Sequence, residues 1–168
     1  MEELKNKVAA SGLITIDLER FYPDREPTAF DIKDFLFMEM LLKEKDFREA
    51  LDQHDWSQYA GKTVAVFCST DAIIPLWAHM LIASKLTPFA ERIVSGNIES
   101  AFREAFIQNI RMGLGVENFD DKRVVIKGCG DKPIPDYAYM EASKILLPVV
   151  KSLMYGEPCS TVPVFKKK

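Results

Sequence analysis

Little in this chain is available for cross-linking or for the commonest forms of catalysis. Three cysteines and two histidines occur in 168 residues. An odd cysteine count cannot close a disulfide framework within one chain, and no Cys-x-x-Cys pair is present. Neither Gly113-Leu114-Gly115 nor Gly128-Cys129-Gly130 belongs to a phosphate-binding pattern, so nucleotide binding has no motif behind it. Positive charge is not in excess either. Lys plus Arg is 22 against 25 Asp plus Glu, a net charge of −3. That balance argues against nucleic-acid and membrane-surface binding, which draw on excess Lys and Arg. The one basic run, Lys166-Lys167-Lys168, reads as a solubilising tail.

A long hydrophobic run is also missing. The longest mostly apolar stretch, Ala72 to Ala83, is broken by Pro75 and His79 and falls short of the roughly 20 residues a spanning helix needs. The opening Met1 to Gly12 mixes acids and bases with no apolar centre, unlike a secretory signal. These features predict a cytoplasmic chain with reduced thiols, where cysteines serve packing, metal binding or catalysis.

What is present is enough for a core. Apolar residues make up 48% of the chain and include eleven Phe, which excludes a disordered polymer. No repeat of solenoid length stands out, and the loop Tyr22 to Pro27 is too short to mark a domain boundary, so residues 1–168 read as a single α/β domain. Ile14, Ile16 and Leu18 alternate as in a half-buried strand. From Asp31, the dense apolar residues Phe35 to Leu42 predict a helix capped by Asp31, and a second helix follows from Asp46 to Gln53. Thr63 to Phe67 is a continuous apolar strand, followed by Ser69-Thr70-Asp71 as caps and a helix to Leu86. A short strand at Arg92 to Val94 precedes a helix from Ile98 to Met112. Arg123 to Lys127 is the next strand, with a last helix from Pro135 to Met154 kinked at Pro148. The alternation predicts a mainly parallel sheet flanked by helices, with an N-terminal strand and helix added.

The cysteines fall in turns. Cys68 and Cys129 end two of these strands, and Cys159 follows the last helix. Ligands gather at the carboxyl edge of open α/β sheets, and neighbouring strands would bring Cys68 and Cys129 together. Three thiolates on one rim would suit zinc or an iron–sulfur cluster, with Asp71 or His79 as a fourth ligand. A second reading makes Cys68 the nucleophile of a sulfur-transfer or redox enzyme, activated by the helix that follows. A third leaves the thiols structural in a non-catalytic partner-binding domain. His79, on an apolar helix, also fits a core position. His54 sits at a helix end where a protonated imidazole gains from the dipole. Asp17 and Glu19 close the first strand and could lend an acid to a site, though a solvated strand end explains them as well.

Several strings together carry a resemblance: Ser11 to Leu18, His54 to Tyr59, Cys68 to Pro75, Val125 to Cys129, and Val149 to Pro163. Over essentially the whole chain they resemble a bacterial family catalogued as domain of unknown function 2480. The family name assigns no activity. What the resemblance implies is partnership with iron–sulfur assembly proteins, in line with the thiolate reading.

Overall fold

The computed structural model describes residues 12–128 and 130–168. It is an α/β structure with seven strands and four α-helices among the described residues, and all but one of the strand pairings are parallel. The strands fall into two sheets, where one was expected. The chain correspondingly forms two compact units, an inserted unit of residues 23–105 and a split unit of residues 1–22 and 106–168.

The inserted unit is built as strand, helix, strand, helix, strand. Its sheet runs β2 (Thr28–Asp31), β3 (Thr63–Phe67), β4 (Arg92–Ser95), all parallel, with α1 (Glu44–Gln53) and α2 (Leu76–Leu86) as the crossovers. Thr63 to Val66 are all buried, as a central strand covered on both faces requires. Phe30, Ile32, Phe47, Leu51, Trp56, Val66, Ile82 and Leu86 close the core around it.

The split unit begins with β1 (Leu13–Ile16) and resumes with α3 (Ile98–Gly113), whose first turns belong to the inserted unit. Its sheet runs β1, β5 (Arg123–Ile126), β6 (Ser152–Glu157), β7 (Ser160–Lys166), with α4 (Asp136–Leu146) between β5 and β6. Leu18, Phe106, Ile110, Val124, Leu146 and Leu153 are buried.

Three expected elements come out differently. Asp31 does cap, its carboxylate accepting from Lys33 N, but what it caps is a single 3-10 turn, Ile32–Phe35. Beyond that turn Phe37, Met38, Met40 and Leu41 lie exposed in a tight loop, so their density marks a surface and not a helical core stripe. Ser69-Thr70-Asp71 cap nothing, because α2 starts only at Leu76, after Pro75. A proline disfavours helical backbone in the residue before it, and Pro75 itself is extended as the N-cap, so the helix cannot start earlier. The last helix ends at Leu146, two residues before Pro148, and the chain continues as the β6–β7 hairpin. The proline lacks the N–H that another helical turn would need.

The two units share one plan. Pairing in the inserted unit sets Thr63 opposite Arg92, and the split unit sets Arg123 opposite Ser152, both shifted by 123 − 63 = 152 − 92 = 60. At the same spacing the sequence pairs Lys62 with Lys122, Val64 with Val124, Ile74-Pro75 with Ile134-Pro135, Ala78 with Ala138, Leu86 with Leu146 and Pro88 with Pro148. Loop hydrogen bonds repeat as well: Glu91 N donates to Lys62 O, and Lys151 N to Lys122 O. An aspartate closes each first strand, Asp31 as the last residue of β2 and Asp17 directly after β1, and each caps a 3-10 turn. The chain is an internal duplication, one copy inserted into the other, which is too long in period and too divergent to stand out as a solenoid repeat.

Candidate functional site

Of the residues expected to form a metal centre, Cys68, Asp71, His79 and Cys159 are described, and no three of them form a group able to hold a metal. Cys68 follows β3 and is half-buried, with Sγ 3.4 Å from Thr70 Oγ1. Asp71 is exposed in the loop beyond, and His79 is half-buried on α2. Cys159 is exposed at the turn of the β6–β7 hairpin, in the other unit. Cys129 lies outside the described residues. Closeness of Cys68 and Cys129 rested on their two strands being neighbours, and those strands are the central strands of separate sheets. No group of three or more His, Cys, Asp or Glu able to hold a metal occurs among the described residues. Cys68 also lacks the adjoining helix end that was to activate it, since eight positions separate it from Leu76.

His54 differs too. It caps the C-terminus of α1, but its ring sits among Phe30, Phe35, Trp56 and Tyr59, with Nε2 3.1 Å from the Tyr59 hydroxyl. Burial pulls its pKa below the ordinary histidine value, against the opposing charge of Asp55, so the neutral imidazole is favoured. It serves the aromatic core.

A polar crevice lies at the carboxyl edge of the split unit's sheet. A cavity of about 380 Å³ is lined there by Asp17, Glu19, Lys127, Lys132, Tyr139 and Tyr155, among others. Each lining residue follows from local structure. Asp17 directly follows β1, where its carboxylate accepts from Glu19 N at 3.0 Å and from Lys127 Nζ at 3.1 Å. Partial burial raises the Asp17 pKa, but these hydrogen bonds and the charges of Lys127 and Arg20 prevail and bring it below the usual value. Lys127 is pushed up in turn by its hydrogen bond to Asp17. Both groups are therefore ionised at neutral pH. Glu19 accepts from the backbone N–H of Lys132, and the Lys132 ammonium lies 4.8 Å from the Tyr22 ring centre.

Glycines make room for this lining. A Cβ on Gly128 would meet the Tyr155 ring at 2.6 Å, and one on Gly130 would collide with the Glu19 carboxylate. The Tyr139 and Tyr155 rings meet edge to face, with centres 5.7 Å apart, and their hydroxyls donate to the carbonyls of Lys127 and Gly128. Asp17 and Glu19 were legible as strand-end acids. Lys127, Lys132, Tyr139 and Tyr155 were missed, although setting the two copies side by side singles them out.

A second surface belongs to the inserted unit. Phe37 and Leu41 exchange backbone hydrogen bonds, holding a loop in which Met38 and Glu39 take positive φ of 50° and 58°. Left-handed backbone is unfavourable for residues with side chains, and such strain gathers at functional segments. Thr70 Oγ1 donates to Glu39 O at 2.8 Å and ties this loop to the one leading into α2. Together they expose Phe37, Met38, Met40, Leu41, Ile73, Leu76 and Met80, with Ile73 at 91% and Leu76 at 82%. No helix among the described residues is long and apolar enough to cross a membrane.

No curated protein and no solved structure matches this chain. One family model does match, over residues 2–167, and by that match the chain belongs to the family described as protein of unknown function DUF2480.

Proposed function

We propose that this chain is a non-catalytic binding protein that associates through the apolar surface of its inserted unit, with a second copy of itself as the occupant. The observation that carries the reading is a set of seven exposed large apolar side chains, Phe37, Met38, Met40, Leu41, Ile73, Leu76 and Met80, on two loops joined by the Thr70–Glu39 hydrogen bond and on the start of α2. Soluble monomers rarely expose a contiguous apolar patch beyond a few hundred Å². α2 adds to it, because its sequence is apolar on nearly every side while only Ala78, Ile82 and Leu86 are buried. A helix hydrophobic all round is ordinarily covered all round. Methionine supplies three of the seven side chains, and its flexible thioether adapts to an apposed surface.

Self-pairing suits the charges around the patch. Lys43 Nζ sits 3.3 Å from the Phe37 ring centre, Arg48 pairs with Glu44, and Lys85 pairs with Asp52 at 2.6 Å. Two copies related by a two-fold axis would bring apolar surface to apolar surface with these cations already partnered. Sedimentation of the purified chain tests this. The wild type should sediment as a dimer, and Leu76→Asp and Met80→Asp should sediment as monomers with unchanged circular dichroism. A wild-type chain that stays monomeric at every concentration overturns the reading. The same preparation, handled without oxygen, should be assayed for iron, zinc and acid-labile sulfide. Stoichiometric metal that disappears in Cys129→Ala would put a metal- or cluster-binding role ahead of this one.

A further inference from the structure

The duplication supplies an internal control for the split unit's crevice. Both copies keep the aspartate that closes the first strand, Asp17 and Asp31, and both use it to cap the next turn. The other lining positions have diverged. Where the split unit has Lys127, Lys132, Tyr139 and Tyr155, the inserted unit has Phe67, Ala72, His79 and Ser95, sixty residues earlier. Glu19, two residues after the first-strand aspartate, corresponds to Lys33. The inserted unit forms the same parallel sheet in the same register without any of these polar groups. The fold therefore does not require them, and their convergence on one cavity calls for another cause.

The chemistry of the lining narrows the ligand. Two cations, Lys127 and Lys132, and two carboxylates, Asp17 and Glu19, belong to the lining, so the cavity has no net charge to attract a bare phosphate or a metal ion. It has partners for both signs at once. A Lys ammonium carries three donors, and Asp17 engages one of those on Lys127. Tyr139 and Tyr155 add apolar ring surface beside the charges. The volume of about 380 Å³ lies at the small end of ligand pockets, which begin near 300 Å³.

We infer that this crevice binds a small zwitterion of the α-amino acid class, its carboxylate on the lysines, its ammonium on Glu19 and Asp17, and its side chain against the two tyrosines. The inference stands apart from self-association, which concerns the other unit. Thermal-shift measurement on the full chain with each standard free L-α-amino acid, followed by calorimetry on any that stabilise it, tests the idea. At least one free amino acid should raise Tm, and its N-acetyl amide, which lacks both charges, should not. Lys127→Met should weaken binding roughly tenfold or more, the loss expected when a charged hydrogen bond goes. Tyr155→Ser installs the residue with which the inserted unit folds and should also weaken binding, with circular dichroism unchanged. If no free amino acid shifts Tm, or if the blocked form shifts it equally, the inference fails. Full binding retained by a folded Tyr155→Ser and a folded Lys127→Met would also overturn it.

Discussion

At the carboxyl end of its central strand the inserted unit carries Phe67, Cys68 and Thr70, whereas the split unit carries Lys127, Gly128 and Gly130 at the matching places. The strands around them pair in the same register and the loops make the same backbone hydrogen bonds. One edge shows methionine and isoleucine to solvent, and the other lines an open crevice with two lysines, two carboxylates and two tyrosines. A three-stranded parallel frame thus sets where side chains go without setting what they are. Differences between the copies are therefore a guide to function, while the shared positions (Val64 and Val124, Ala78 and Ala138, Leu86 and Leu146, all fully buried) report what the frame needs.

Core substitutions should separate the copies most. Phe30 stacks on Phe35 and Trp56 at the centre of an aromatic cluster, whereas the matching residue of β1 is Ile16. Phe30→Ala should cost about 3–5 kcal/mol and Ile16→Val about 0.5–1.5 kcal/mol in urea unfolding. Comparable losses would mean that the aromatic cluster adds nothing beyond ordinary burial.

The paired glycines give a smaller contrast. Gly96 and Gly156 both take positive φ, 143° and 119°. A Cβ on Gly156 would press on the backbone carbonyl oxygen of Ser160, while one on Gly96 would meet the rotatable Ser100 hydroxyl. Gly156→Ala should therefore cost about 2–3 kcal/mol and Gly96→Ala about 1 kcal/mol, both by thermal unfolding.

pH separates the copies further. His54 has Leu114 as its counterpart, and its folded pKa lies below the ordinary 6.5. A depressed histidine means that the unfolded chain binds the proton more readily. Stability should accordingly fall as pH drops below about 6.5 and level off below the folded pKa. His54→Leu should flatten that slope between pH 7 and pH 5, and an unaltered slope would show that the ring titrates as in water.

The smallest effect is expected at Glu141, which corresponds to Leu81. Its buried carboxylate accepts from Arg111 and Lys144, each at 2.7 Å, and these bonds hold its pKa below the usual 4.5. The stabilisation is present above about 4.5 and is lost as pH falls through the folded pKa. Glu141→Leu should change neutral-pH stability by about 1 kcal/mol or less, since both cations stay largely solvated and the leucine packs. It should also reduce acid sensitivity, which unfolding curves at pH 7 and pH 3.5 would resolve.

Much of the frame was legible in the sequence. β3 stands where the run Thr63 to Phe67 put it, α3 fills Ile98 to Gly113, and Asp31 caps as its residue type suggests. Errors came where apolar residues serve surfaces. Phe35 to Leu42 has the density of a helix core, yet only Leu36 of the stretch is buried. The last hairpin hid behind Pro148, because Leu153 and Met154 continue an apolar pattern that the helix itself does not. The expectation that Cys68 and Cys129 end neighbouring strands did not allow for two sheets, since β3 and β5 belong to different ones.

Composition, periodicity and turn chemistry determined the α/β class, the order of most elements and the shortage of motifs for nucleotides and nucleic acids, since these depend on local backbone preference and net charge. Only the tertiary structure decided that the strands divide between two sheets, that the second copy repeats the first, and that Asp17, Glu19, Lys127, Lys132, Tyr139 and Tyr155 line one cavity. Those facts depend on which strands pair across more than a hundred residues, and Asp17 meets Lys127 only because β1 lies beside β5.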